Sequence, residues 1–180
     1  MECTLISLLG ESEGVITEAL EYCKKKFEKI ENIVLYTRDV REKVKILRKV
    51  LKMKELKQRI GDVTSKFVRI PVSDITSQKE LMTFRKTVEK VIKGIDRNKT
   101  VILNISGGRK IMVIVMLDVV RKIGLKGLWI NIISRMKREE IAELGDIVKE
   151  KIENNIKLEK EEIDNYFFSK GNYIVLEFSL

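Results

Sequence analysis

Strand-length apolar runs alternate along this chain with longer segments whose apolar residues recur every three or four positions. Cys3 to Leu9 is such a run and is closed by Gly10. Glu13 to Ile30 then carries Val15, Ile16, Ala19, Leu20, Cys23 and Phe27 at helical spacing. A second strand is expected over Asn32–Tyr36, an amphipathic helix over Val40–Ile60, and a third strand over Lys66–Ile70, which ends at Pro71. Ser77–Ile95 reads as a helix with Leu81, Phe84, Val88, Val91 and Ile92 on one face. Thr100–Ile105 reads as a strand, the segment after Gly107-Gly108 as a strongly apolar helix to about Ile123, and Gly127–Ile133 as a fifth strand. Continuous apolar strands separated by helices require both faces of a parallel sheet to be covered. The predicted fold is therefore α/β: a Rossmann-like, doubly wound, mostly parallel sheet.

The remaining segment departs from that rhythm. Arg138–Ile156 predicts a polar helix with a narrow stripe at Ile141, Leu144, Val148 and Ile152, expected to pack on the sheet or on a second subunit. Tyr166–Leu180 alternates around Ser169-Lys170-Gly171-Asn172, the pattern of a β-hairpin. The expected division is a nucleotide-binding domain over residues 1–135 and a small helix-and-hairpin extension over 136–180, packed on the same domain or at a dimer interface. At 180 residues, one core is sufficient for the whole chain.

In a doubly wound sheet, ligands sit beyond the carboxyl ends of the strands, where strand order reverses. Here the first strand should lie beside the strand ending at Ile105. Gly10-Glu11-Ser12-Glu13-Gly14 and Ser106-Gly107-Gly108-Arg109-Lys110 would then face one crevice. Glycines permit close approach of the backbone to a ligand, and a helix start offers unpaired N–H groups. Arg109 and Lys110 add two cations where the helix dipole favours anions, a conflict that an anionic ligand would resolve. Ser12 is either a hydroxyl for phosphate or ribose, or the N-cap of the first helix. Neither the Walker spacing nor the Gly-x-Gly-x-x-Gly fingerprint is present.

The formal net charge of +9 favours polyanionic partners. Histidine is absent, which excludes a Ser-His-Asp triad and a Cys/His zinc site; no acidic motif suggests a metal either. The two cysteines, Cys3 and Cys23, fall in apolar patterns without framework spacing, and no leader-like segment precedes them. A reducing, cytoplasmic location is expected, and the apolar runs are too short to cross a bilayer.

The segment Val101-Ile-Leu-Asn-Ile-Ser-Gly-Gly-Arg-Lys-Ile-Met, together with Leu5-Ile-Ser-Leu-Leu-Gly-Glu-Ser, resembles the CRISPR-associated Rossmann-fold (CARF) domains. Within that group a stand-alone chain of this size is similar to the crenarchaeal ring nucleases. The resemblance implies a homodimer that binds cyclic tetra-adenylate and slowly cleaves it to linear di-adenylate with a 2′,3′-cyclic phosphate, without metal or cofactor, thereby ending an antiviral signal. It implies ligand contacts from Gly10, Glu11, Ser12, Ser106, Gly107, Gly108, Arg109 and Lys110. Ser12, Arg109, Lys110 and Lys170 would carry catalysis, with Lys170 matching a C-terminal catalytic lysine. Two other readings stand beside it. One is a non-catalytic sensor that binds the same ring and acts through a partner protein. The other is a protein for long RNA or DNA that relies on its charge, which would leave the two loops unexplained.

Overall fold

The computed structural model describes residues 1–179. In chain order the elements are β1 (Glu2–Leu8), α1 (Gly14–Lys24), β2 (Lys29–Tyr36), α2 (Arg41–Val50), α3 (Lys54–Ile60), β3 (Val63–Arg69) and α4 (Gln78–Lys93). They continue with β4 (Thr100–Asn104), α5 (Lys110–Ile123), β5 (Leu128–Ser134), α6 (Arg138–Glu153), α7 (Lys160–Phe167) and β6 (Tyr173–Ser179). Short 3₁₀ turns cover Arg38–Val40 and Ser169–Gly171. The six strands form one sheet in the order β3-β2-β1-β4-β5-β6. Every pairing is parallel except that of β6 with β5. The doubly wound expectation holds, and β1 does lie beside β4.

Strand alternation divides the core in two. Cys3, Leu5, Ile30, Val34 and Ile102 pack with α1, α2, α3, α6 and α7. Ile6, Leu8, Ile33, Leu35 and Leu103 pack with α4 and α5. A residue and its neighbour in a strand thus feed opposite clusters, as the pleat requires.

Three sequence expectations need correction. The helix predicted to Ile30 stops at Lys24, and β2 starts at Lys29. The single helix expected over Val40–Ile60 is two helices, with Met53 extended (ψ 140°) at the start of α3. The break lets Leu47 and Val50 on one side, and Leu56 and Ile60 on the other, reach the same cluster. The C-terminal hairpin does not form. Tyr166 and Phe167 instead close α7, which a capping box between Glu159 and Glu162 begins, Ser169–Gly171 is a 3₁₀ turn, and only the second half is a strand. That strand joins the sheet beside β5. The α6 stripe packs inward, with Val148 and Ile152 buried and Ile141 and Leu144 half-buried against the same cluster.

Candidate functional site

The carboxyl ends of β1 and β4 open into a crevice of about 600 Å³. The β1–α1 loop lines it with Gly10, Glu11 and Ser12, and the β4–α5 loop lines it with Ser106 through Lys110. Both predicted loops are therefore brought together. Thr37 and Asp39, after β2, and Arg138, at the start of α6, complete the walls.

The glycines also serve the packing of the two loops. A Cβ on Gly107 would stand 1.9 Å from the Leu8 carbonyl oxygen, and one on Gly10 would stand 2.5 Å from the Gly108 amide nitrogen. Gly108 has φ +81°, and its Cβ would strike the Leu8 side chain at 2.2 Å. Their first role is thus to let the two loops pack backbone against backbone. Gly108, Arg109 and Lys110 nevertheless remain exposed. Among the described residues no group accepts a hydrogen bond from the amides of Gly108, Arg109 or Lys110. The start of α5 has no side-chain cap and no acidic residue in its first turn. These are the conditions under which a helix N-terminus takes an anion.

The basic pair divides into two roles. Arg109 is held by Asp74 at 2.6 Å and by Asp39 at 3.1 Å, and it donates to the Ser73 carbonyl at 3.1 Å. The Arg109 guanidinium holds the Asp74 carboxyl below its ordinary range. The protein's own carboxylates therefore resolve the charge conflict at Arg109. Lys110 forms no ion pair among the described residues and is the free cation at the start of α5.

Ser12 is half-buried, and its Oγ accepts from the Gly14 amide at 3.2 Å. It thus satisfies one donor at the start of α1 while still lining the crevice. Ser106 is committed to structure. Its hydroxyl donates to Asn104 Oδ1 at 2.7 Å and accepts from the Ile132 amide, which fixes the loop to β5. Asn104 is fully buried and donates to the Val15 carbonyl at 2.9 Å, joining β4 to α1.

Lys170 is not part of this crevice. It is exposed, with φ 55° and ψ 22°, and lines a separate depression with Arg59, Asp164 and Asn165. Its turn is anchored by the buried Ser169, whose hydroxyl hydrogen-bonds Glu18 at 2.5 Å and Ser134 Oγ at 2.8 Å.

Sequence reasoning passed over Asp39 and Arg138. Asp39 lies just past the carboxyl end of β2, a position where the crevice rule would have placed a wall. Arg138 forms a 2.8 Å ion pair with Glu11 across the mouth. Both partners are more than four-fifths exposed, so the pair is weak and readily exchanged.

The crevice lies at the β1/β4 switch point of a doubly wound α/β sheet. A family model described as CRISPR-associated protein NE0113 (Cas_NE0113) matches residues 13–174, and the chain belongs to that family. No curated protein matches the sequence. Among solved structures, the chain is similar to Enterococcus italicus Csm6 bound to cyclic hexa-2′-fluoro-hexa-dAMP. The TM-score is 0.64 at 10% identity, covering 99% of this chain and 42% of that one. VC1899 from Vibrio cholerae gives a TM-score of 0.52 at 12% identity, covering 71% and 30%. Can2 from Sulfobacillus thermosulfidooxidans in complex with cyclic tetra-adenylate gives 0.46 at 17% identity, covering 71% and 31%. The chain spans less than half the length of each of these structures.

Proposed function

We propose that this chain binds cyclic tetra-adenylate across a two-fold dimer and slowly cleaves it to linear di-adenylate, in the manner of a ring nuclease that ends a type III CRISPR antiviral signal. The observation that carries the reading is the uncapped start of α5, with its open amides and unpaired Lys110, facing the Ser12 loop across one crevice. Membership of a CRISPR-associated family supports it, as does the cyclic oligonucleotide bound to Csm6, a protein of similar fold.

In the proposed reaction a ribose 2′-OH attacks the adjacent phosphorus and the 5′-oxygen leaves with the proton. A 2′,3′-cyclic phosphate and a free 5′-OH result. Two such cuts open the ring into two di-adenylates. The Gly108, Arg109 and Lys110 amides and the Lys110 ammonium would carry the charge of the phosphorane-like transition state. Ser12 would help to orient the attacking hydroxyl. The crevice has no histidine to act as a base at neutral pH, so turnover would be slow. Arg109 would join the phosphate contacts only by exchanging Asp39 or Asp74 for the ligand.

One observation favours the sensor reading. Lys170, the lysine that the family resemblance makes catalytic, lies outside the crevice. The test is incubation with cyclic tetra-adenylate in excess EDTA, with products separated by chromatography. Conversion to di-adenylate, lost in Lys110→Ala and reduced about a hundredfold in Ser12→Ala, supports the nuclease. Tight binding of an intact ring supports the sensor. A ring that is neither bound nor cut defeats both readings.

A further inference from the structure

A second concave region lies on the other face of the sheet, between α4 and the strands β2 and β3. It measures about 590 Å³. Thr4 and Ile33 belong to its floor, Lys66 of β3 stands on one side with Arg69 at the rim of that edge strand, and Lys86 and Lys90 of α4 stand on the other. All four cations are exposed, and none forms an ion pair among the described residues. Glu31 is the sole carboxylate in the lining, and Lys99 already holds it at 3.1 Å. Elsewhere in this chain cations commonly meet carboxylates, as Arg59, Arg85 and Arg109 do. Lys86 and Lys90 are one helical turn apart, a separation of about 6 Å at which like charges repel.

The floor supplies an independent observation. Thr4 is fully buried, and its Oγ1 has no hydrogen-bond partner. Its neighbours Cys3 and Leu5 face the α1 cluster, whereas Thr4 shares the α4 side with Ile6. Valine would fill the same space without an unsatisfied hydroxyl, which costs about 1–3 kcal/mol when buried. A hydroxyl kept at that cost beneath the unpaired Lys66, Lys86 and Lys90 suits a ligand that brings its own acceptors.

We propose that this groove is a second anion site, separate from the crevice, for a compact oligophosphate such as a nucleoside triphosphate. Lys66, Lys86 and Lys90 on the α4 face, with Arg69 at the rim, supply positive charge for a triphosphate chain that carries roughly four negative charges. The volume is of small-ligand size. No aromatic residue lines the groove, so it offers no stacking platform for successive bases of a single strand.

The test uses calorimetric titration in magnesium-free buffer with ATP and, separately, tripolyphosphate. The protein carries Lys110→Ala, so that the crevice does not report. One-to-one binding is expected in that background, weakened at least about tenfold when Lys86→Glu and Lys90→Glu are added. Thr4→Val provides a second measure. It is expected to raise the melting temperature of the free protein while weakening ATP binding several-fold. Equal binding of ATP and tripolyphosphate identifies the phosphate chain as the whole ligand; tighter ATP binding adds a nucleoside contact. The proposal is overturned if neither compound binds saturably, or if binding survives the α4 charge reversal. It is also overturned if only long single-stranded RNA responds to that reversal.

Discussion

Glu18 sits inside α1 with 1% of its surface exposed and accepts a hydrogen bond from the Ser169 hydroxyl. Burial pushes its carboxyl from an ordinary 4.5 up to about 7, with the Ser169 bond opposing the rise. Between pH 4.5 and 7 the folded protein therefore retains a proton that the unfolded chain has lost. Stability should fall as pH rises through that window and level off above it, by about 3 kcal/mol in all. Urea unfolding at pH 5 and pH 8 measures the drop, and Glu18→Gln should flatten it. A wild-type profile equally stable at both values would contradict the assignment. At this scale the sequence revealed which residues line the crevice better than what each one does. Ser106 and Gly107 were readable as loop residues, but the Ile132 amide and the Leu8 carbonyl that they serve come from other strands. Arg109 looked like a free cation because Asp39 and Asp74 lie 70 and 35 positions before it in the chain.

The strands and most helices were legible because each carries its own period, and Ser77 marks the start of α4 with a hydrogen bond to the Glu80 amide. Two elements lacked such a mark. Nothing between Val50 and Lys54 is a glycine or proline, so the α2–α3 break is a demand of the core rather than of local propensity. α7 begins at a glutamate, outside the usual N-cap residues, and ends in left-handed Ser169, Lys170 and Gly171, which mimic a hairpin turn in sequence. The β4–α5 loop is the element on which both packing and the proposed binding depend. Gly107→Ala places a methyl group against the Leu8 carbonyl, and the loop must move away. We expect a loss of about 2 kcal/mol or more in urea unfolding, together with weaker ring binding. Gly124→Ala gives the contrast. Gly124 is left-handed, with φ +67°, but its Cβ would meet nothing within 4 Å. It should cost only about 1 kcal/mol of conformational strain and leave binding unchanged.

Across the whole molecule, the parallel sheet places the crevice at its centre and leaves its two edges to be closed in different ways. β3 forms one edge, bordered by the basic groove. At the other edge β6 returns antiparallel and covers β5 along its full length, from Leu128 opposite Ser179 to Ser134 opposite Tyr173. Side chains fasten β6 to α1 and the turn after it as well. Tyr22 donates to Glu177 at 2.6 Å, Lys26 pairs with the same carboxylate at 2.5 Å, and Tyr173 donates to Glu21. Removing residues 173–180 would leave β5 as a bare edge with Ile130 and Ile132, both buried in the intact fold, beside open backbone groups. Such an edge pairs readily with another chain. The truncated protein should melt at lower temperature and shift to larger species in size-exclusion chromatography. The crevice loops follow β1, β2 and β4, which do not contact β6 in the sheet, so the fraction that keeps the oligomeric state of the intact protein should keep its ligand affinity. Loss of affinity in that fraction would mean that β6 positions Arg138 through β5, and that the antiparallel edge belongs to the site as well as to the fold.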